Sequence, residues 1–320
     1  MARPIAKQRS FWHWGFVEDF PDAAAREAVA QQAAFLIPSL GTPRAEALPD
    51  VGSVKTRASR LEIPKALEHC ATNDDRARML HASGKGYRDV LRAFRGDLPC
   101  MPDVVVFPEG DEDLAAAFEW CKKVGAALVP FGGGTSVVSG VTYDGKKPIA
   151  SVDLAKLRGV LDVDATSRLV RIQAGAAGPD LEAQLGECGL SLRFYPQSFE
   201  LSTLGGWIAT RAGGHFATGY THIDDMVSSV RMVSPAGAFE TKTFPASGAG
   251  PDPNRLVLGS EGALGVVTEA TLRAFPRPTF RAQCTVFFSM TAARAPNTVS
   301  AARIQNTPLI RVLSIHRRKT

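Results

Sequence analysis

Residues 130–139 read PFGGGTSVVS, with three consecutive glycines between an apolar run and two hydroxyl side chains. Glycine lacks a Cβ atom and adopts positive φ without strain, so consecutive backbone amides can point into one concavity. Such a concavity can bind a pyrophosphate at close range. The glycines follow AALVPF, a predicted strand. The stretch therefore predicts a phosphate-binding loop at the end of a strand, with a tight turn as the alternative.

Two common nucleotide-binding motifs do not fit this loop. The dinucleotide fingerprint G-x-G-x-x-G opens an amphipathic helix, whereas no such helix pattern follows the glycines here. A P-loop requires a Gly-Lys-Ser/Thr sequence, and this loop has no lysine. The glycines alone therefore indicate an anion but do not identify the cofactor that carries it.

The chain divides into three regions by its patterns. Residues 1–99 are predicted to be a mainly helical N-terminal region, where apolar residues recur at helical spacing behind Asp22, a candidate helix cap. Residues 100–278 mix short strands with few helices, which predicts an α+β fold rather than a doubly wound sheet. Residues 279–320 are expected to begin a missing cap or substrate domain and to end in an atypical basic tail. That tail is either solvated or the product of a truncated, out-of-frame chain.

Composition narrows the functional classes. Residues 289–320 carry a charge of +6, so the other 288 residues sum to −1, and the net charge of +5 does not indicate nucleic-acid binding. The apolar stretches are too short for a membrane span, and the N-terminus has no signal-peptide pattern. Five scattered cysteines without C-x-x-C spacing argue against disulfides and zinc. We expect a cytoplasmic protein with reduced thiols and no metal.

Two further segments give the glycine loop a context. Residues 196–215 read PQSFELSTLGGWIATRAGGH, and residues 258–272 read LGSEGALGVVTEATL. In this order, the three motifs resemble the FAD-binding domain of the vanillyl-alcohol oxidase and p-cresol methylhydroxylase superfamily over residues 102–278. They are most similar to alkyl-dihydroxyacetonephosphate synthase and its bacterial relatives. The resemblance implies a p-cresol methylhydroxylase-type domain of two α+β subdomains that hold an extended FAD between them.

The resemblance also implies which residues contact FAD. The glycine loop would surround the pyrophosphate, and the three other segments would contact the rest of the cofactor. Gln197 stands where the synthase motif has an aspartate, which puts the role of that carboxylate in doubt. The implied cofactor residues are Pro130, Phe131, Gly132, Gly133, Gly134, Thr135, Ser136, Gln197, Ser198, Phe199, Glu200, Leu201, Ser202, Thr203, Thr210, Arg211, Ala212, Gly213, Glu261, Gly262, Ala263, Leu264, Gly265, Val266 and Val267.

Histidines near these motifs are candidates for a covalent link to FAD or for metal ligation. Some members of the superfamily link FAD to a histidine after a glycine pair, but Thr135 occupies that place, and His215 follows glycines of a different segment. Non-covalent FAD is therefore expected. His222, Asp224 and Asp225 could form an acid-base or metal cluster, but a turn capped by Asp224 is the simpler interpretation, so we predict no metal site there.

The resemblance implies a flavin-dependent enzyme with a small-molecule substrate. The main hypothesis is an FAD-dependent oxidoreductase that oxidises a hydroxy acid or alcohol. One alternative is alkyl-dihydroxyacetonephosphate synthase, a flavin-dependent alkyl transferase of ether-lipid synthesis, and another is a truncated, non-catalytic flavin-binding fragment. The catalytic motifs of the family lie C-terminal to the segments matched here, so no catalytic acid or base is assigned. A homodimer is left open.

Overall fold

The computed structural model describes residues 7–41, 46–143, 146–215, 222–245 and 247–279. The chain divides into two compact units, Met1–Phe275 and Pro276–Thr320, and only residues 276–279 of the second are described. The atypical basic tail expected from the sequence lies outside the described residues. No helix in the described ranges is long and apolar enough to cross a membrane.

The first unit is a mixed α+β structure of short elements, which confirms the predicted fold class. The helices are α1 Ala23–Leu36, α2 Asp75–Leu80, α3 Tyr87–Phe94, α4 Asp111–Val124, α5 Gly178–Glu187, α6 Leu204–Thr210, α7 Ile223–Met226 and α8 Asn254–Val257. The strands are β1 Ala71–Thr72, β2 Val104–Val106, β3 Ala127–Phe131, β4 Ile149–Asp153, β5 Val160–Asp164, β6 Leu169–Gln173, β7 Leu190–Ser191, β8 Val227–Ser234, β9 Gly237–Glu240, β10 Val266–Arg273 and β11 Phe275–Pro276.

The first sheet has four strands in the order β1-β2-β4-β3. Strands β2 and β3 both run parallel to β4, and β1 is antiparallel to β2. Helix α4 connects β2 to β3, with acidic residues in its first turn, lysines in its last, and a left-handed Gly125 after it. In the register of β3 and β4, Phe131 pairs with Asp153. The glycine loop therefore begins at the carboxyl edge of this sheet.

The second sheet has five antiparallel strands in the order β5-β6-β10-β8-β9. Strands β5 and β6 form one hairpin, and β8 and β9 form another around Pro235 and Ala236. Between the hairpins lies β10, which is mostly buried and pairs with both β6 and β8. Residues from both sheets contribute to one large apolar core. The segments that follow β6 and precede β10 consequently lie near the first sheet.

The N-terminal region is bound to the first sheet by pairing and by charge. Helix α1 begins as predicted, because the carboxylate of Asp22 accepts the amide of Ala25 at 2.8 Å, but it buries no residue. Instead, β1 adds a strand to the sheet, and the fully buried carboxylate of Asp103 pairs with Arg57 and Arg60. The domain boundaries at residues 99 and 278 stay predictions.

Candidate cofactor-binding site

A cleft lies where the glycine loop, α6 and the start of β10 meet. Its empty space, including the open mouth, is about 670 Å³. The first and fourth predicted segments contribute several residues each to its walls, whereas the second contributes only Thr203 and the third only Thr210. The predicted residues that line it are Pro130, Phe131, Gly132, Ser136, Thr203, Thr210, Glu261, Gly262, Gly265, Val266 and Val267. The sequence did not single out Gly140, Val141, Val152, Leu154, Ala174, Gly205, Gly206 and Ala209, which also line it.

The glycine loop has no space for side chains. A Cβ atom on Gly132 would lie 2.5 Å from the hydroxyl oxygen of Thr203, and one on Gly133 would overlap the carbonyl oxygen of Leu201. Gly134 has φ +64° and faces the Phe131 ring. Backbone therefore packs directly on backbone here, and the amides next to the cleft are not screened by side chains.

Most of the second predicted segment supports the cleft instead of lining it. The hydroxyl of Ser202 donates to the carbonyl of Ser198 at 2.9 Å and accepts the indole Nε1–H of Trp207 at 2.7 Å. Thr203 caps α6 through the amide of Gly206. Of the described residues that line the cleft, none comes from Gln197 to Ser202. Cofactor contact by this stretch stays a prediction.

The third segment combines a cleft hydroxyl with an ion-pair network. The Thr210 hydroxyl donates to the carbonyl of Gly206 at 2.9 Å, at the cleft wall. Arg211, in the left-handed conformation at φ +51°, ends α6 and pairs with Asp224 at 2.7 Å. Arg255 pairs with the same oxygen at 2.6 Å. Although burial opposes ionisation, hydrogen bonds from both arginines lower the pKa of Asp224. Gly213 is not among the lining residues.

The predicted turn at residues 222–225 has a different geometry from the one expected. His222, not Asp224, is the residue before the short helix α7, and no side chain caps that helix. The predicted cap at Asp224 is therefore wrong, because its carboxylate is engaged by the two arginines. The two ion pairs satisfy the carboxylate and connect α7 to the end of α6.

The fourth segment reaches the cleft through unusual backbone conformations. Glu261 and Gly262 have φ of +53° and +78°, and the amide of Glu261 donates to the carbonyl of Ala209 at 2.8 Å. A Cβ atom on Gly265 would lie 2.5 Å from the carbonyl oxygen of Val233. This tight turn directs the chain into β10. The predicted residues Ala263 and Leu264 line a neighbouring cavity that also borders Pro130, Gly262 and Gly265.

A buried histidine lies behind the loop, and no pattern in the sequence predicted it. The Nε2 atom of His81 lies 2.9 Å from a carboxylate oxygen of Asp153, and its Nδ1 lies 2.7 Å from the carbonyl of Ala77. The imidazole ring centre is 4.3 Å from that of Phe131, the last residue of β3. His81 is 72 residues from Asp153 in the sequence, so only the fold brings them together.

None of the described cysteines lines the cleft. Cys70, Cys100, Cys121 and Cys188 form no disulfide among the described residues, and Cys284 lies outside them. Burial raises the pKa of Cys121 to about 12, so its thiol stays protonated. Cys70 groups with His69 and Asp113, but the Nε2 atom of His69 already pairs with that carboxylate at 3.1 Å.

Comparisons with known proteins agree with the resemblance noted in the sequence. A family model described as FAD binding domain matches residues 102–241. Alkyldihydroxyacetonephosphate synthase of Dictyostelium discoideum is 38% identical over 207 residues, which are 64% of this chain and 34% of that protein. The mitochondrial D-lactate dehydrogenase [cytochrome] of Arabidopsis thaliana is 33% identical over 214 residues, 66% of this chain and 36% of that protein.

A solved structure of alkyldihydroxyacetonephosphate synthase superposes with a TM-score of 0.68 at 33% identity, covering 73% of this chain and 44% of that one. The chain spans about a third of the length of the curated relatives it matches. The site residues fit the cofactor, since Gly132 lines the cleft and the consecutive glycines leave no room for side chains, as a backbone cradle for a pyrophosphate requires.

Proposed function

We propose that this chain is the cofactor-binding part of an FAD-dependent oxidoreductase that oxidises a hydroxy acid or alcohol, because residues 102–241 match a family model described as FAD binding domain. The observation that carries the proposal is the glycine loop without room for side chains, at the edge of a cleft lined by residues of the predicted segments. FAD, when bound, would accept the electron pair from the substrate.

The residues of the cleft would bind and orient the cofactor. The amides of residues 132–134 would donate to the pyrophosphate, and Ser136 and Thr210 also line the cleft. The apolar side chains of Val152, Leu154 and Val266 would exclude water from the ring systems. Thr135 offers no imidazole for a covalent link, so the proposed FAD is non-covalent. The proposal also includes a cytoplasmic location and the formation of a homodimer.

The second candidate function is the alkyl transfer of alkyl-dihydroxyacetonephosphate synthase. The observation that favours it is the higher identity to the synthase, 38% against 33% for the D-lactate dehydrogenase. The observation against it is Gln197, which stands in place of the aspartate in the synthase motif. Both candidates use the same cofactor cleft and differ in the substrate.

Two assays on the flavin-loaded protein distinguish the candidates. In the whole enzyme of which this chain is the cofactor-binding part, anaerobic addition of D-lactate or glycolate is expected to bleach the visible flavin band, because an oxidoreductase transfers electrons to the flavin. A synthase would instead convert acyl-dihydroxyacetonephosphate and a fatty alcohol to the alkyl product without net flavin reduction. Product formation without bleaching would favour the synthase. A protein that binds no flavin at all would contradict both functions.

A further inference from the structure

The glycine loop is held from behind by the N-terminal region. The Nη2 atom of Arg9 donates to the carbonyl of Gly133 at 2.5 Å, across 124 residues of sequence. At the other end of the loop, the backbone amide of Lys85 donates to the carbonyl of Ser136 at 2.7 Å. A Cβ atom on the neighbouring Gly84 would overlap that same carbonyl oxygen. Both ends of the loop are thus fixed by a segment outside the predicted cofactor domain.

Both residues place a cation inside the protein. The Lys85 side chain is buried, and its ammonium donates to the carbonyl of Phe11 at 2.7 Å. The Nε atom of Arg9 is buried and has no hydrogen-bond partner among the described residues. Among the described residues, no carboxylate oxygen lies within 4.0 Å of the side-chain nitrogen atoms of Arg9 or Lys85.

Buried charges without a close counter-charge are costly. The cost is visible in the pKa of Lys85, which burial lowers to about 8, with a further lowering by Arg9 and an opposing effect of Asp89. Burial likewise lowers the pKa of Arg9, against the attraction of Asp153. Because burial is the main cause in both cases, the two cations lack the hydration that they would have in water, and an anion bound at the loop would stabilise their charged forms.

Glu261 is the one charged residue among the described residues that line the cleft. Two phosphate charges bound there would therefore find no cation among those lining residues. Arg9 bonds to the loop through its guanidinium, whereas Lys85 does so through its backbone amide, and its ammonium lies close enough to Arg9 for the two charges to interact. Both cations can therefore supply the missing charge from behind the loop.

We propose that Arg9 and Lys85 form a cationic clamp, which positions the glycine loop and provides the counter-charge for the pyrophosphate of FAD. This inference rests on the proposed function and extends the cofactor site to the N-terminal region. The clamp residues are positioning residues, since they act on the cofactor through the loop backbone. FAD binding relieves the repulsion between the two cations.

The test compares Arg9→Met and Arg9→Lys with Lys7→Met. Lys7 is a matched control in the same N-terminal segment, because it pairs with Asp19 at 2.5 Å and is exposed. The dissociation constant of FAD is measured by quenching of flavin fluorescence. We expect Arg9→Met to weaken FAD binding about 10- to 100-fold, the range for one charge-assisted hydrogen bond. Arg9→Lys should recover part of the loss, and Lys7→Met should stay within about twofold of the wild type.

Lys85→Met separates the clamp from a packing role. Without FAD, removing a buried, uncompensated cation should leave the melting temperature equal to or above that of the wild type, while FAD binding weakens. An Arg9→Met protein that binds FAD within about twofold of the wild type would overturn the clamp. So would a Lys85→Met protein that melts lower but binds FAD normally. If Arg9→Met does not fold, Arg9→Lys and Lys85→Met decide. Failure of the wild type to bind FAD would instead overturn the proposed function.

Discussion

Gly133 shows how the residues of the loop differ from the expectation. The sequence predicted a concavity in which a side chain at this position would enter the space of the phosphate. In the structure, a Cβ atom at Gly133 would overlap the carbonyl oxygen of Leu201, so the glycine is required by packing between two chain segments. The position is therefore important for the fold of the site as well as for its ligand.

Gly133→Ala is expected to lower stability and FAD affinity together. Relieving the overlap requires a backbone shift, and overpacking of this kind costs about 1–3 kcal/mol. Thermal unfolding with and without FAD measures both effects. Gly248→Ala is the matched control, because no atom lies within 4 Å of a Cβ there and its φ is not positive. A Gly133→Ala protein that melts like the control would contradict the observed packing.

The contribution of Lys85 to folding stability is expected to depend on pH. Its pKa in the folded protein is about 8, below the ordinary 10.5, mainly through burial. The unfolded chain therefore binds this proton more tightly, and the contribution of Lys85 to stability rises as the pH increases from about 8 to about 10.5. The charges of Arg9 and Asp89 affect the pKa of Lys85, and the charge of Lys85 contributes to lowering the pKa of His13.

We expect the difference in the free energy of unfolding between the wild type and Lys85→Met to change with pH. Urea unfolding of both proteins without FAD should show the wild type gaining up to about 3 kcal/mol relative to the variant over that pH range. Because all other titrations are shared, the difference isolates Lys85. A difference that does not vary with pH would show that the ammonium is not buried as described.

Asp103 connects the N-terminal region to the first sheet. Its carboxylate is fully buried, pairs with Arg57 and with Arg60 at 2.9 Å, and accepts the amide of Ile149 at 2.8 Å. Burial opposes ionisation, but the hydrogen bonds from Arg60 and Arg57 hold the pKa of Asp103 well below its ordinary value. The stabilisation is therefore present above the ordinary carboxyl pKa and is lost as the pH falls through the folded-state value.

Asp103→Asn should lower the free energy of unfolding at pH 7 by about 3–5 kcal/mol, as for other broken buried ion pairs. Urea unfolding measures the change. The control is Asp162→Asn, on the exposed face of β5, which should stay within about 0.5 kcal/mol of the wild type. Equal stability of the two variants would show that β2 and β4 do not need the arginines of residues 57–60.

Local patterns predicted most elements but not the contacts between them. Helix α4 and the hairpin of β8 and β9 follow from charge placement and turn residues, which act within a few positions. By contrast, Arg9 meets Gly133 and His81 meets Asp153 across 124 and 72 residues, and no periodic pattern encodes such distances. The failed prediction of a cap at Asp224 has the same cause, since Arg255 is 31 residues away.

At the scale of the whole molecule, the cleft depends on three parts of the chain at once. The first sheet supplies the loop, the second sheet supplies β10, and the N-terminal region fixes the loop from behind. A ligand in the cleft contacts residues of both sheets directly and the N-terminal region only through the loop that Arg9 holds, so we expect it to stabilise the three parts as one unit. FAD at a hundred times its dissociation constant should therefore raise the free energy of unfolding by about 2.7 kcal/mol in a single cooperative transition. Calorimetry that shows the N-terminal region melting separately, unaffected by FAD, would contradict this coupling.

The central claim is that this chain binds FAD without a covalent bond, through the glycine loop. The direct measurement is acid precipitation of the purified, FAD-saturated and desalted protein, followed by chromatography of the supernatant. We expect about one equivalent of intact FAD in the supernatant and a colourless pellet, because Thr135 cannot tether the flavin. Colour that stays in the pellet would contradict the non-covalent site, and a protein that retains no flavin after desalting would contradict the cofactor assignment itself.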